Sequence, residues 1–274
     1  MTAIPRALSR ATEQLGRTSD TPRLDAELLM AAALGIGRDR LILDSPRGEA
    51  PADFYGFVER RQAGEPVAYI TGQRAFWTID LEVGPGALVP RPDSETLIAA
   101  AVEHFSGTTG PNRVLDLGTG PGTLLLAALD EWAGATGVGI DASDVALDYA
   151  RRNAARLGVQ DRAEFRIGDW AKGVDERFDL ILCNPPYVAE GGPVGPGVAA
   201  YEPAEALFAG PEGLDEYRRL APEIGRLLAP GGLAAIEIGY DQADSATKLF
   251  EKHGPHPTLA RDLGGRPRAL LIEA

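Results

Sequence analysis

Four short stretches of this chain carry residues whose types and spacing suit chemistry on a bound small molecule. The first, Val114-Leu115-Asp116-Leu117-Gly118-Thr119-Gly120-Pro121-Gly122, is an apolar run that passes into a glycine-rich turn. Glycine lets a backbone pass close beneath a ligand. A dinucleotide fingerprint wants glycine at the first, third and sixth positions; here the sixth is Thr123, and the glycines fall at 118, 120 and 122. The second stretch ends in Asp141, where a carboxylate can bind both hydroxyls of a ribose. The third ends in Gly168-Asp169-Trp170, where an acid can accept from an adenine amino group while the aromatic residue covers the base. Taken singly, Asp116 and Asp141 are equally well read as helix caps or loop braces, roles that Asp favours. Together the strand ends offer groups for an amino acid, a ribose and an adenine, which fits S-adenosylmethionine (AdoMet) better than NAD.

The fourth stretch, Asn184-Pro185-Pro186-Tyr187, closes the apolar run FDLILC. An amide or aromatic amine nitrogen is a poor nucleophile because its lone pair is delocalised. The Asn184 side-chain oxygen and the Pro185 carbonyl can accept the two N–H hydrogens of such a group. That would orient the nitrogen towards a sulfonium methyl and favour the charge that builds on it during transfer. Two prolines stiffen the turn, and Tyr187 can pack on a flat substrate group or screen a positive centre. A rigid surface turn is the plainer reading of Pro-Pro after a strand, but its register with the glycine loop favours the chemical one. Cys183, the single cysteine, reads as a small buried residue.

Elements of a particular kind must hold these stretches. From about residue 93 the chain alternates helix and strand patterns: DSETLIAAAVEHF with a Ser/Asp start signal, RVLDLG, GVGID, ASDVALDYARRNAARLG, AEFRIGD, FDLILCN, GLDEYRRLAPEIGRLLA, GLAAIEIG, DQADSATKLFEKHG and RALLIEA. Strands alternating with helices of this length predict a mostly parallel, doubly wound α/β sheet, with ligands at the carboxyl ends of its strands. Residues 1–74 read as a small helical domain, with RLDAELLMAAALG ending on Gly35 and ADFYGFVERRQAG on Gly64. Between the two, residues 75–92 predict a β-hairpin connector of AFWTIDLEV and ALVP around Gly84, Pro85 and Gly86. The division is therefore 1–74, 75–92 and 93–274. Residues 189–197, AEGGPVGPG, read as a mobile loop.

Bulk properties exclude several classes. At 274 residues, 44% hydrophobic and 24% charged, the chain resembles ordinary globular proteins. No apolar run approaches the roughly 20 residues of a membrane span, and the N-terminus lacks a secretory core, so a cytoplasmic location is expected. A net charge of −13 argues against stable nucleic-acid binding through phosphates, although Arg60, Arg61, Arg151 and Arg152 could form a local basic spot. One cysteine and three scattered histidines offer no metal set. A monomer is the default.

The chain resembles a class I AdoMet-dependent methyltransferase, which implies a seven-stranded sheet. The tetrad is similar to those of enzymes that methylate planar nitrogens in adenine, cytosine or glutamine. GEPVAYITGQRAFWTIDLEVGPGALVPRPDSETL, AAYEPAEALFAGPEGLDEYRRL, LLAPGGLAAIEIG and RDLGGRPRALLIEA resemble the release factor glutamine methyltransferases, and the PRPDSE run points to that branch rather than the one acting on a ribosomal protein. The resemblance implies, as substrate, the glutamine of the Gly-Gly-Gln tripeptide in class I peptide release factors. It further implies that Asp116, Gly118, Thr119, Gly120, Pro121, Gly122, Asp141, Asp169, Trp170 and Asn184 line the AdoMet site. Asn184, Pro185, Pro186 and Tyr187 would hold the glutamine, and the helical N-terminal domain would contact the release factor body. A nucleic-acid base amino-methyltransferase, or an enzyme acting on another protein glutamine, is the alternative.

Overall fold

A computed structural model describes residues 2–44, 46–195 and 197–274. The chain divides into two compact units, one of residues up to 73 together with 194–202, the other of residues 74–193 and 203–274.

The first unit is helical: α1 (Ile4–Leu15), α2 (Pro22–Leu34), α3 (Arg38–Asp44), α4 (Ala52–Gln62) and α5 (Val67–Thr71). Prolines open α1 and α2 in the first turn, where a missing N–H costs nothing. Gly35 ends α2 in the left-handed region, the conformation that a C-terminal cap requires. Leu8, Leu15, Leu29, Met30, Phe54 and Val58 form its core. Asp25 is buried beside them, but Arg61 at 2.7 Å and the hydroxyls of Ser19 and Thr21 satisfy its charge. The segment expected to be a mobile loop packs partly within this unit. Gly197 lies against Gly64, and the Tyr201 hydroxyl donates to Ala63 O at 3.5 Å. Pro196 of that segment lies outside the described residues.

From Arg74 on, the second unit opens with a hairpin, β1 (Gln73–Phe76, its first residue the last of the first unit) and β2 (Ile79–Glu82). The hairpin thus lies earlier than the sequence suggested. Its turn is Trp77-Thr78, inside the stretch read as one arm, and Ala87-Leu88-Val89-Pro90 forms no strand. Trp77 takes a φ of 52°, which is costly for a bulky residue. Long-range bonds hold it there: Trp77 N–H to Glu95 Oε1 at 3.0 Å, its indole N–H to Glu131 Oε2 at 3.0 Å, and the Thr78 hydroxyl to Asp130 at 2.6 Å. Gly84-Pro85-Gly86 makes only a turn, closed by Ala87 N–H to Gly84 O.

The rest alternates as expected: α6 (Glu95–His104), β3 (Arg113–Leu117), α7 (Thr123–Glu131), β4 (Thr136–Asp141), α8 (Asp144–Leu157), β5 (Ala163–Ile167), β6 (Phe178–Cys183), the single turn α9 (Val198–Tyr201) of the first unit, α10 (Asp215–Leu227), β7 (Leu228–Glu237), α11 (Ala243–Phe250), β8 (Thr258–Arg261) and β9 (Pro267–Glu273). Seven strands form one sheet in the order β5-β4-β3-β6-β7-β9-β8, parallel except that β9 runs antiparallel to both its neighbours. β8 was not legible as a strand: it is short, at the edge and largely exposed, so it has no apolar alternation to read. The central strands are nearly all buried, as a sheet covered on both faces requires.

Two further expectations meet local corrections. Ser94 stands at the start of α6 after a 3-10 turn, Pro92–Ser94, but its hydroxyl does not cap the helix. The arginines proposed as a basic spot are each paired with an acid: Arg60 with Glu65, Arg61 with Asp25, Arg151 with Asp148 and Arg152 with Glu82.

Candidate functional site

The chain winds outward from β3 to β4 and β5 on one side and resumes with β6 and β7 on the other, so β3 and β6 flank the switch point of the sheet. Ligands of doubly wound folds bind outside the carboxyl ends of the strands at that point. Leu117 is in register with Ile140 on one side and Cys183 on the other, and Asp141 with Ile167. The residues next in sequence are Gly118, Gly168 and Asn184. The glycine loop, Asp141, the Asp169-Trp170 turn and the tetrad therefore emerge along one edge.

The loop is held from below. Asp116 is fully buried, and its Oδ2 accepts from the Thr119 hydroxyl at 2.6 Å and from Leu125 N–H at 3.0 Å. Its Oδ1 has no hydrogen-bond partner among the described residues, and burial pushes its pKa up to about 7. Asp116 and Thr119 are thus brought beneath the loop rather than onto its surface. Pro121 is fixed by Asn153 of α8, which donates to its carbonyl at 3.0 Å while clasping the backbone of Glu82. Gly118, Gly120 and Gly122 all take positive φ. At Gly118 a Cβ would also stand 3.1 Å from the Trp170 ring, and at Gly122 2.7 Å from Leu126. Gly118 and Gly122 serve close packing as well as chain direction, while Gly120 serves chain direction alone.

Asp141 sits partly exposed at the end of β4. Gly120 N–H donates to its Oδ2 at 2.8 Å and Ser143 N–H to its Oδ1 at 2.9 Å. Burial raises its pKa, opposed by the N–H groups of Ser143, Gly120 and Ala142. Each carboxylate oxygen has a second lone pair, so the group retains acceptor capacity for hydroxyls. Trp170 takes a φ of 51°, lays its ring on Gly118 and donates its indole N–H to Glu216 Oε2 at 2.6 Å. Asp169 is exposed and ion-paired with Arg219.

The tetrad is also anchored from below. Asn184 donates its Nδ2 to the Ser94 hydroxyl oxygen at 3.0 Å. Pro185 is buried and Pro186 half-buried. Tyr187 does not stand free in the cleft as a stacking platform: it packs against the main core and donates its hydroxyl to Glu237 Oε1 at 3.2 Å. Burial, reinforced by the Glu237 charge, raises its pKa. Its carbonyl accepts from Gln242 Nε2 at 2.9 Å, and Gln242 Oε1 in turn accepts from Tyr217 and Gly239 N–H. Cys183 is buried as expected, its thiol pushed up by that burial.

Sequence reading missed Ser94, Asn153, Glu216, Glu237 and Gln242. Glu237 carried a usable signal, a lone acid inside the apolar run AAIEI. It is fully buried, and burial lifts its pKa to about 7 against the opposing effects of the Ser94 hydrogen bond and the Arg268 charge. Arg268 is itself held by Asp93 at 2.9 Å and Asp262 at 3.2 Å.

Residues 110–254 match a family model described as a methyltransferase domain, and residues 6–72 match one described as the PrmC N-terminal domain. The chain is 43% identical to a release factor glutamine methyltransferase of Rhodospirillum rubrum, over 92% of this chain and 79% of that one. It is 42% identical to one of Caulobacter vibrioides, over 92% and 89%. Among solved structures it is similar in fold to a methyltransferase from Pyrococcus furiosus, with a TM-score of 0.54, 21% identity and coverage of 78% and 96%. With relatives of this identity along nearly its whole length, the chain belongs to the release factor glutamine methyltransferase family.

Proposed function

We propose that this protein transfers a methyl group from AdoMet to the side-chain amide nitrogen of a glutamine in peptide chain release factors, the glutamine of the Gly-Gly-Gln tripeptide in the class I factors. The observation that carries the reading is Asn184 at the end of β6, across the switch point from the glycine loop, with its Nδ2 turned back to Ser94. The other end of that planar amide is an acceptor.

The residues present fit AdoMet. Left-handed glycines and the Trp170 ring against Gly118 make a surface that a side chain would fill, and Asp141 presents acceptors where a ribose diol would lie. When bound, AdoMet supplies an electrophilic methyl on a sulfonium. The chain's own part is to hold and orient. The Asn184 Oδ1 and the Pro185 carbonyl accept the two N–H hydrogens of the target amide. Two fixed acceptors localise its lone pair towards the methyl and stabilise positive charge that grows on nitrogen as the bond forms, without reorganisation. No nucleophilic side chain is needed, and the surplus amide proton passes to water after transfer. Trp170 and the glycine loop would cover the base, Asp169 would stand at its rim, and the helical unit would dock the release factor body.

The test is methyl transfer from labelled AdoMet to a class I release factor, with a second sample carrying Ala for the tripeptide glutamine. Label on the first alone is the expected result. Label on both would move the target to another residue, and label on neither, with AdoMet bound, would overturn the substrate assignment.

A further inference from the structure

Asn184 has a symmetric-looking amide, and its oxygen must face the substrate for the chemistry proposed above to work. Nothing within the tetrad fixes which way it points. Beneath it lies a chain of three side chains from three separated parts of the sequence. Asn184 Nδ2 lies 3.0 Å from Ser94 Oγ. Ser94 is 2% exposed, and its hydroxyl faces the fully buried Glu237 carboxyl closely enough to lower that acid's pKa against the effect of burial. Glu237 Oε1 also accepts from Tyr187 at 3.2 Å, while Oε2 has no partner among the described residues. Both ends of the tetrad therefore rest on one buried acid, Tyr187 directly and Asn184 through Ser94.

The placement of Ser94 argues against a local role. A serine at a helix start ordinarily spends its side chain on the first turn's N–H groups, yet Ser94 makes no such cap to α6. A hydroxyl has one proton to give and lone pairs to receive with. With its proton turned to Glu237, whose Oε1 accepts whether the acid is ionised or carries its proton on the partnerless Oε2, Ser94 Oγ can meet only a donor. Of the two ends of the Asn184 amide, only Nδ2 is a donor.

We propose that Ser94 and Glu237 are positioning residues for methyl transfer, a one-way hydrogen-bond relay that locks the Asn184 amide with its oxygen facing the reacting nitrogen. This rests on the reading that Asn184 holds the target amide. The relay imposes polarity: an acid at its base forces an acceptor at its tip. The same arrangement ties Tyr187, so the turn and the amide orientation share one anchor.

The test uses the full-length protein, AdoMet and a class I release factor, with steady-state kinetics on Ser94→Ala, Ser94→Thr and Ser94→Val and on Asn184→Ala alongside. Thr and Val have the same shape and differ in the hydroxyl, so packing and folding defects cancel between them. Ser94→Ala and Ser94→Val are expected to lose about tenfold to a hundredfold in kcat, the scale of a misoriented reacting group, with KM for AdoMet changed less than about twofold. Ser94→Thr is expected to stay well above Ser94→Val. Adding Ser94→Ala to Asn184→Ala should cost nothing more, since the relay acts only through that amide. If Asn184→Ala abolishes transfer while Ser94→Ala turns over normally, or if Thr and Val are equally slow, the relay is refuted and the role of Asn184 survives. If Asn184→Ala itself turns over normally, the reading of Asn184 fails and the relay with it.

Discussion

Replacing Asp141 by Asn tests the ribose end of the site with almost no change of shape. In the native protein each carboxylate oxygen already accepts one backbone N–H, Gly120 at 2.8 Å and Ser143 at 2.9 Å. An amide keeps one of those oxygens and turns an NH2 towards the other donor. That internal loss is the same with and without AdoMet; what changes on binding is that the ribose hydroxyls meet a neutral acceptor in place of a charged one. A hydrogen bond to a charged group contributes about 1.5–3 kcal/mol, and about 1.4 kcal/mol corresponds to a factor of ten in binding. AdoMet affinity should therefore fall by roughly tenfold to a hundredfold. Whichever way the amide turns, the ribose hydroxyls lose the charged acceptor. Isothermal titration of AdoMet into wild type and Asp141→Asn measures this directly, and thermal melting of the two ligand-free proteins separates loss of affinity from loss of fold. Equal affinity within a factor of two, in a folded variant, would refute the assignment of Asp141 to the ribose.

Two more expectations concern the loop and the buried acids. Gly118→Ala forces a side chain into a φ of 73° and against the Trp170 ring at 3.1 Å, a ring that its bond to Glu216 prevents from yielding. The left-handed backbone alone costs about 1–2 kcal/mol, or a fall of roughly 2–8 °C in Tm for a unit of this size, and an unchanged melt would show that the loop relaxes freely. Asp116 and Glu237 are each held at about 7 in the folded chain by burial, against ordinary values of 3.8 and 4.5. Between those values and 7 the folded chain binds more protons than the unfolded one, so these two groups raise stability as pH falls from about 8 towards 5. Asp116→Asn can keep both accepted bonds on one oxygen and place its NH2 where Oδ1 has no partner. That variant should melt higher than wild type at pH 8 and show a shallower pH dependence; urea unfolding at pH 5.5 and 8 checks both, and a steeper slope in the variant would contradict the account.

Legibility differed sharply between elements. Helices with end signals, such as α2 before Gly35 and α8 between Ser143 and Gly158, are punctuated by residues whose local conformational preferences act over four or five positions. The buried parallel strands announce themselves as short apolar runs, and their shared direction follows from the helices between them. The hairpin misled because its turn is set by Glu95, Asp130 and Glu131, far along the chain, against the backbone preference of Trp77 itself. β8 misled because an exposed edge strand needs no apolar face.

The glycine spacing, Asp141 and the Asn-Pro-Pro-Tyr tetrad are local patterns, since the chemistry of binding and transfer needs particular groups on short turns, and the sequence by itself determined them. The tertiary structure alone decided what each group rests on: Asp116 beneath its loop, Trp170 on Gly118, Tyr187 turned down to Glu237, and Asn184 onto Ser94. Ser94 and Asn184 are 90 residues apart. No local preference selects such a partner; only the packing of β6, β7 and the start of α6 into one core brings the amide within hydrogen-bonding distance of the hydroxyl, with a buried acid behind it, where burial favours pairing.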